Sequence, residues 1–282
     1  MIILKNSADL IHQIKKTTFS NPSIGFVPTM GALHQGHLSL LKTCNEKCDI
    51  TVSSIFVNPT QFNNANDFKK YPVTIEQDIY LLEKNDCDIL FLPDVDEIYP
   101  DGTDLKIHFN LGYLETIFEG KYRPGHFQGV CQVVKRLLEI VEPTNLFLGQ
   151  KDYQQCLVIK RLLELMKVNI DLIICPTLRE ENGLAMSSRN LRLNEQQKKQ
   201  ASEIYKALVY INQNIQCGNL RDLKKNALQH LQQKGFKIDY VEIAESDNLN
   251  IADVWNGHTK LVALIAAFIN DVRLIDNLLI SH

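Results

Sequence analysis

The sequence predicts an α/β fold in two parts: a doubly wound domain with a parallel sheet, then a smaller α+β domain with an antiparallel sheet. In the first part, short apolar runs alternate with segments of helical periodicity, as in successive β-α units. Several runs are apolar throughout, which is typical of strands buried on both faces of a parallel sheet. After about residue 177, two helical segments precede three strand-like runs. We therefore expect domains at residues 1–177 and 178–282.

Each element of the first domain is predicted from its own pattern. Apolar or β-branched runs predict strands at residues 24–28, 49–57, 88–93, 145–149 and 171–176. Helical periodicity between these runs predicts helices at residues 36–47, 74–85, 127–140 and 153–167. The ligand crevice of such a sheet lies at the carboxyl ends of its strands.

The second domain begins with helices and ends with strands. Asn194 is an N-cap signal for a helix over residues 194–214, and Gly235 ends a second helix over residues 221–235. Three strands then follow from the runs at residues 238–244, 260–269 and 272–280.

Composition excludes some classes of partner. The 282 residues are 45% hydrophobic and 22% charged, and the net charge of −3 gives no global attraction to nucleic acid or anionic membrane. No apolar run reaches the ~18 residues of a membrane span, and the N-terminal segment lacks the pattern of a signal peptide. We expect a cytoplasmic protein that binds neither nucleic acid nor membranes.

The cysteines predict reduced thiols rather than a disulfide framework. Their number is seven, no C-x-x-C occurs, and most lie in apolar runs. Cys44 and Cys48 are four residues apart and could share a helix face, but no second pair of ligands lies nearby in the sequence. Buried free thiols are the prediction.

Residues 26–40, FVPTMGALHQGHLSL, predict a phosphate site. Gly31 and Gly36 permit close backbone approach after a strand, and the helix that begins near Gly36 offers N–H groups and a positive dipole end. His34 and His37 would donate hydrogen bonds to phosphate oxygens. H-x-x-H alone is more typical of two surface histidines, but the preceding apolar strand, the glycines and the T-M-G turn favour the phosphate site. A zinc site would need a third ligand.

Two further strand ends carry polar side chains. Asn58 and Gln61 suit a substrate with hydroxyl and carboxylate groups, although a strand followed by a proline turn is common. Lys151 can bind phosphate as a point charge. Asp152 could accept from a ribose hydroxyl or cap the next helix.

Two other segments are open to both structural and functional interpretation. KYRPGHFQGV, residues 121–130, is typical of a basic surface loop before a helix, and alternatively of a flap over a nucleotide. In residues 71–78, Glu76 and Asp78 suit either Mg²⁺ binding or the first turn of a helix.

HQGH resembles the H-x-G-H signature of the nucleotidyltransferase superfamily, whose members cleave ATP between the α and β phosphates. That superfamily includes the class I aminoacyl-tRNA synthetases. AMSSRN, residues 185–190, resembles its second signature, K-M-S-K-S. Ser187, Ser188 and Arg189 would then bind the β and γ phosphates, because hydroxyls and a guanidinium match their oxygens. Alone, MSSR is also typical of a polar loop.

Five motifs in order narrow the resemblance: PTMGALHQGH, SIFVNPTQF, YRPGHFQGV, FLGQKDYQQ and LAMSSRN. Over residues 28–190 the chain strongly resembles the pantothenate synthetases, or pantoate–β-alanine ligases, and the C-terminal LIDN also fits. The resemblance implies a Rossmann-like first domain, a C-terminal domain that acts as a lid, and a homodimer. It implies that ATP, (R)-pantoate and β-alanine give pantothenate, AMP and pyrophosphate through a pantoyl adenylate.

The resemblance also assigns roles. It implies His37, His34 and Lys151 as catalytic residues, with His37 as proton donor. Gln61 would bind pantoate and β-alanine. The other substrate-binding residues are Gln155, for pantoate, with Asn58, Pro28 and Thr29. The implied ATP-binding residues are Met30, Gly31, Ala32, Leu33, His34, Gln35, Gly36, His37, Gly149, Gln150, Lys151, Asp152, Leu178, Met186, Ser187, Ser188 and Arg189.

Mg²⁺ is expected to arrive with ATP. Family members often have an acidic residue where this chain has Gln77, at a position associated with magnesium. An amide is a weaker ligand, so we expect the ATP phosphates to hold the ion, with Asp78 as a weak protein ligand at most.

Three rival functions share features of the sequence. A nucleotidyl transferase that adenylylates a phosphate has H-x-G-H but releases pyrophosphate without AMP. A non-catalytic nucleotide-binding module is disfavoured because histidines and a lysine occur with the binding glycines. An aminoacyl-tRNA synthetase is disfavoured because no basic anticodon-binding domain is apparent.

Overall fold

The computed structural model describes residues 1–16, 21–63 and 65–280, without the side chain of Ala65. Two compact units divide the chain: residues 1–149 with 158–176, and residues 150–157 with 177–282. Residues 150–157 group with the second unit because Asn277 and Ser246 bind them. The domain boundary proposed after residue 177 stays a prediction.

The first unit is built on β-α units. Its elements are β1 (Ile2–Leu4), α1 (Ser7–Lys15), β2 (Ile24–Thr29), α2 (Gln35–Asn45), β3 (Ile50–Ile55), α3 (Ala65–Lys69), α4 (Ile75–Lys84), β4 (Ile89–Phe91), α5 (Val95–Ile98), α6 (Phe118–Tyr122), α7 (His126–Val141), β5 (Asn145–Gly149), α8 (Tyr153–Met166) and β6 (Asp171–Cys175). The first residues of α8 belong to the second unit. Short 3₁₀ helices cover Pro59–Gln61 and Gly112–Glu115.

The six strands form one parallel sheet in the order β1-β4-β3-β2-β5-β6. The chain runs outward from β2 through β3 in one direction and from β5 through β6 in the other. The crevice that a doubly wound sheet uses for ligands therefore lies at the carboxyl ends of β2 and β5. Thr29 and Gly149 are the last residues of these two strands.

Both faces of this sheet are buried. Val27 and Phe147 pack with Leu40, Leu41 and other residues of α2 and α4 on one face. The neighbouring residues along the strands point to the opposite face, and they are also inaccessible to solvent: Phe26, Val52 and Leu146. The predicted doubly wound fold is thereby confirmed.

The second unit combines helices with an antiparallel sheet. A 3₁₀ turn covers Gln150–Asp152 and another covers Ser188–Arg192. The remaining elements are α9 (Glu195–Ala201), α10 (Glu203–Asn214), β7 (Gly218–Asn219), α11 (Arg221–Gln233), β8 (Lys237–Glu245), β9 (Val254–Trp255), β10 (Leu261–Ile269) and β11 (Val272–Leu279). The sheet order β11-β10-β8 is antiparallel throughout, which confirms the predicted α+β domain.

The helix predicted over residues 194–214 is interrupted at Ser202. The Ser202 hydroxyl donates to the carbonyl oxygen of Lys199 at 2.8 Å. A serine that binds the preceding turn bends a helix, so α9 and α10 are separate elements.

Within residues 1–16, 21–63 and 65–280, none of the helices combines the length and the hydropathy of a membrane span.

Candidate active site

The chain turns sharply after β2. Gly31 has φ +78° and Ala32 has φ +48°, so both lie in the left-handed region that favours glycine. A Cβ on Gly31 would lie 3.0 Å from Oδ2 of Asp78 and 3.1 Å from Cγ2 of Ile55. Glycine therefore supplies both the conformation and the space that this turn requires.

Asp78 of α4 holds the turn. Its carboxylate is fully buried and accepts from the backbone N–H groups of Ala32 and Leu33, each at 2.8 Å. The Thr74 hydroxyl donates to it at 3.1 Å. Hydrogen bonds from backbone N–H groups compensate the desolvation of a buried carboxylate. The structure thus gives Asp78 a positioning role in this turn, and the weak Mg²⁺ contact expected from sequence stays a prediction.

His34 and His37 cap α2 with one nitrogen each. Nδ1 of His34 accepts from the backbone N–H of Gly36 at 3.1 Å, and Nδ1 of His37 accepts from that of His34 at 3.4 Å. The ring centroids are 4.0 Å apart. Because an accepting nitrogen carries no proton, each neutral imidazole has its proton on Nε2. Both rings are therefore hydrogen-bond donors at the start of a helix, as the phosphate hypothesis requires.

Asn58 lies beneath Gln61 and fixes its carboxamide. Its Nδ2 donates to Gln61 Oε1 at 3.1 Å and to the carbonyl oxygen of Gly129 at 3.2 Å. Its Oδ1 accepts from the hydroxyl of Tyr99 at 2.7 Å. Gln61 Nε2 then donates to Sδ of Met30 at 3.1 Å. Asn58 is 1% exposed, so it positions Gln61 and does not itself present a surface to a substrate.

The start of α7 supports the same network, because residues 126–130 are helical and buried. Pro124 and Gly125 form an exposed turn before the helix, and a flap over a nucleotide stays a prediction. Nδ1 of His126 lies 2.8 Å from the carbonyl oxygen of Gln61. Gln128 donates to the carbonyl oxygen of Phe109 and accepts from its N–H, each at 2.9 Å. A Cβ on Gly129 would lie 2.3 Å from the carbonyl oxygen of Thr60, so glycine permits this close packing.

In the second unit, Lys151 lies in the 3₁₀ turn directly after β5. Its ammonium is 3.5 Å from the carboxylate of Asp152. The side chain of Asn277 donates to the main-chain carbonyl oxygens of Gln150 and Lys151, each at 2.9 Å. The main chain of Gln150 and Lys151 is thus held by one side chain of β11.

The predicted MSSR segment follows a short hairpin. Arg179 pairs with Ala185 across this hairpin and forms a bidentate ion pair with Asp276, at 2.6 and 3.0 Å. Burial raises the pKa of the Asp276 carboxyl, and the Arg179 guanidinium opposes that shift. Ser187 caps the next 3₁₀ helix because its Oγ accepts from the N–H of Arg189 at 3.2 Å.

Four other predicted site residues are more accessible to solvent. Gln35 and Leu178 are exposed, and Gln155 and Pro28 are half-buried. Thr29 is buried, and its hydroxyl donates to the carbonyl oxygen of Ser54 at 2.7 Å.

The sequence motifs assigned no role to three supporting residues, Tyr99, Asp276 and Asn277. Tyr99 gave no local signal, since it only follows a short acidic helix. Asp276 and Asn277 did carry a local signal, because they are polar residues that interrupt the apolar run of β11.

Among the described residues, no group of three or more histidine, cysteine, aspartate or glutamate side chains is placed to hold a metal ion.

The family model described as pantoate-beta-alanine ligase matches residues 2–279. The chain belongs to the pantoate–beta-alanine ligase family. It is an ATP-dependent ligase that joins pantoate to β-alanine.

Similar proteins cover the chain from end to end. A pantothenate synthetase of Cytophaga hutchinsonii is 45% identical over 99% of both chains. A crystal structure of pantothenate synthetase from Thermus thermophilus is 35% identical, covers 100% of both chains and has a TM-score of 0.91. A Francisella tularensis pantoate-beta-alanine ligase, crystallised with beta-gamma ATP and beta-alanine, is 41% identical over 99% of this chain and 97% of its own, with a TM-score of 0.82.

Proposed function

We propose that the ligase works in two steps and that the residues assigned above carry the first. The observation that supports this most directly is the pair of imidazoles at the start of α2, each with its proton on Nε2. They lie just beyond the carboxyl end of β2, at the ligand crevice of a doubly wound sheet.

In the first step, a carboxylate oxygen of (R)-pantoate forms a bond to the α phosphorus of ATP. The bond from that phosphorus to the bridging oxygen breaks, and pyrophosphate leaves. A carboxylate with a pKa of ~4 is already ionised at neutral pH, so no general base is needed. The barrier comes from the approach of an anion to a polyanion and from charge that develops on the phosphate oxygens.

Fixed donors reduce this barrier. We assign His34, His37 and Lys151 to the phosphate oxygens as catalytic residues. The remaining ATP-binding residues are those named by the resemblance, in residues 30–37, 149–152 and 186–189 with Leu178. Gln61 and Gln155 are assigned to pantoate, and Gln61 also to β-alanine.

In the second step, the amine of β-alanine attacks the acyl carbon of pantoyl adenylate. The new C–N bond forms, the acyl C–O bond breaks, and AMP leaves. An alkyl ammonium with a pKa of ~10 must first lose its proton. Counted from the ammonium, the step gives pantothenate, dianionic AMP and two protons: one is lost before attack, and the other leaves the nitrogen as the amide forms.

Mg²⁺ is proposed to enter with ATP. The buried carboxylate of Asp78 already accepts three hydrogen bonds and is therefore poorly suited to a protein-supplied magnesium site. The ATP phosphates would then be the main ligands of Mg²⁺, which is commonly bound through the phosphates of a substrate.

The assignment is tested by His37→Ala and Lys151→Ala, with pantoate-dependent pyrophosphate release as the measurement. Each loss of a transition-state donor is expected to lower the rate by ~10²–10³, while circular dichroism shows a folded protein. Near-normal pyrophosphate release by both variants would reject these roles.

We also propose a homodimer, as the resemblance implies. Leu105 and Ile107 are 43% and 54% exposed, and both line a pocket of ≈ 310 Å³. Nε of Arg136 in this pocket is buried and has no hydrogen-bond partner among the described residues. Asp104 lines the same pocket. In a twofold dimer, this surface of one copy would cover the exposed apolar side chains of the other.

Sedimentation velocity tests this proposal. The wild type is expected to sediment as a dimer and Ile107→Asp as a monomer. A monomeric wild type would reject the dimer, and a dimeric Ile107→Asp would reject this surface.

A cytoplasmic location is proposed with the same function. The free thiols of Cys44, Cys87, Cys131 and Cys156, all buried, support a reducing compartment.

A further inference from the structure

Asp276 and Asn277 are a buried polar pair on an edge strand. Among the described strands of the second unit, β11 pairs only with β10, with Ile265 opposite Asp276 and Leu264 opposite Asn277. The two polar residues are 5% and 2% exposed. Burying such groups is unfavourable unless they are fully hydrogen-bonded, so their partners indicate what they do.

The partners of Asn277 belong to the turn that carries Lys151. Its Nδ2 donates to the carbonyl oxygens of Gln150 and Lys151, each at 2.9 Å. Its Oδ1 accepts from Nε2 of Gln150 at 3.2 Å. An amide NH₂ has two protons, and both hold the main chain of this turn.

The partner of Asp276 belongs to the hairpin that precedes the MSSR segment. Arg179 donates to both carboxylate oxygens and also to the carbonyl oxygens of Gly183 at 3.1 Å and Asn277 at 3.2 Å. Its guanidinium lies 3.9 Å from the ring centroid of Tyr205. The Arg179 guanidinium is thus held on its face by the Tyr205 ring and along its edge by hydrogen bonds.

Hydrogen bonds of the hairpin also hold the residues that follow it in the chain. The N–H of Met186 donates to the carbonyl oxygen of Leu178 at 3.0 Å, which closes the hairpin one residue before Ser187. The side chain of Asn190 donates to the carbonyl oxygen of Ala185 at 3.1 Å. The start of the MSSR segment is therefore held on both sides.

We infer that Asp276 and Asn277 hold the Lys151 turn and the hairpin before Ser187 in one fixed arrangement, and that Asn277 is a positioning residue for Lys151 in pantoate adenylation. The inference rests on the proposed function of Lys151. A lysine whose main chain is already fixed loses less conformational entropy when its ammonium binds phosphate. Small displacements of a catalytic group from its productive position also lower the rate strongly.

Asn277→Asp tests this inference, because it keeps the shape but replaces both donors by an oxygen that faces two carbonyl oxygens. Pyrophosphate release at saturating ATP and pantoate is expected to fall by at least ~10-fold, at a temperature where circular dichroism shows a folded protein. Asn256→Asp is the matched control, since Asn256 caps the loop 256–259 with bonds to His258 and Thr259. Its rate is expected to match the wild type.

A double-mutant cycle with Lys151→Ala separates positioning from general stability. If Asn277 acts through Lys151, Asn277→Asp has no further effect on the rate in the Lys151→Ala background. If the two substitutions instead lower the rate independently, so that their effects multiply in the double variant, the inference is overturned. It is also overturned if Asn277→Asp lowers the Tm but leaves the rate unchanged. If Asn277→Asp does not fold, Asn277→Ser removes the two bonds without adding charge and enters the same cycle. A wild type that forms no pyrophosphate from ATP and pantoate would reject the proposed function, and with it this inference.

Discussion

Nδ1 of His34 accepts a hydrogen bond from the backbone N–H of Gly36 at 3.1 Å. One imidazole thereby has two separable properties: it caps α2 through Nδ1 and is a donor through Nε2. Asparagine is also a favoured N-cap but has no group in place of Nε2, so it separates the two properties.

His34→Asn is therefore expected to leave the free energy of unfolding within ~0.5 kcal/mol of the wild type. Pyrophosphate release should fall by ~10²–10³ because one transition-state donor is lost. Urea unfolding and a pyrophosphate assay give the two values. An active His34→Asn would show that the Nε2 proton is not needed.

Asp78→Asn would place an amide NH₂ against the backbone N–H groups of Ala32 or Leu33. The unpaired donors are expected to cost about 1–3 kcal/mol of stability and to raise the KM for ATP, because the turn loses its fixed shape. Glu76→Gln is the control, since Glu76 is exposed in the same helical turn. Recovery of Asp78→Asn activity by added Mg²⁺ would instead indicate a metal ligand and contradict the positioning role.

Tyr99→Phe removes the hydroxyl that binds Asn58. Burial raises the pKa of Tyr99 to about 12, so the hydroxyl is a donor throughout the neutral range. We expect the KM for pantoate to rise about fivefold, equivalent to ~1 kcal/mol for one hydrogen bond, with the KM for ATP unchanged. Equal changes in both constants would argue against a specific effect on Gln61.

Gly25→Ala tests the packing of α2 on the sheet. A Cβ on Gly25 would lie 2.1 Å from Sγ of Cys44, so overpacking should destabilise the protein by about 1–3 kcal/mol. Cys44→Ala should recover part of this loss in the double variant. Additive effects of the two substitutions on the urea midpoint would refute the predicted clash.

Thiol accessibility gives a prediction on pH. Burial raises the pKa of Cys44 and of Cys87 to about 12, so both stay protonated and unreactive at mildly alkaline pH. Cys217 is exposed. Iodoacetamide should label Cys217 first in the native protein, as mass spectrometry would show. Early labelling of Cys44 would contradict the described packing.

Local pattern was sufficient for most of the fold. β2, β5 and β11 occur within one residue of their predicted ends because apolar runs and turn residues mark them directly. β1 was missed because it has only three residues and is largely exposed, so it has little apolar pattern. The break at Ser202 depends on one side-chain hydrogen bond, which periodicity does not reveal.

The sequence suggested candidate site residues, but the contacts that two of them make depend on the folded chain. Asp78 fits the first turn of a helix on sequence alone, and only the folded chain brings it to Ala32 and Leu33. Asn58 carries the same chemical groups as a substrate ligand, yet burial beneath Gln61 makes it a positioning residue. Such roles depend on contacts between residues far apart in sequence.

This chain joins pantoate to β-alanine with formation of AMP. Incubation with ATP, Mg²⁺, (R)-pantoate and β-alanine, with each component omitted in turn, tests it most directly when AMP and pantothenate are quantified together. We predict equal amounts of both products and neither product when pantoate or ATP is absent. Pyrophosphate without AMP in the complete mixture, as a phosphate-adenylylating transferase would give, or no turnover at all, would contradict the claim.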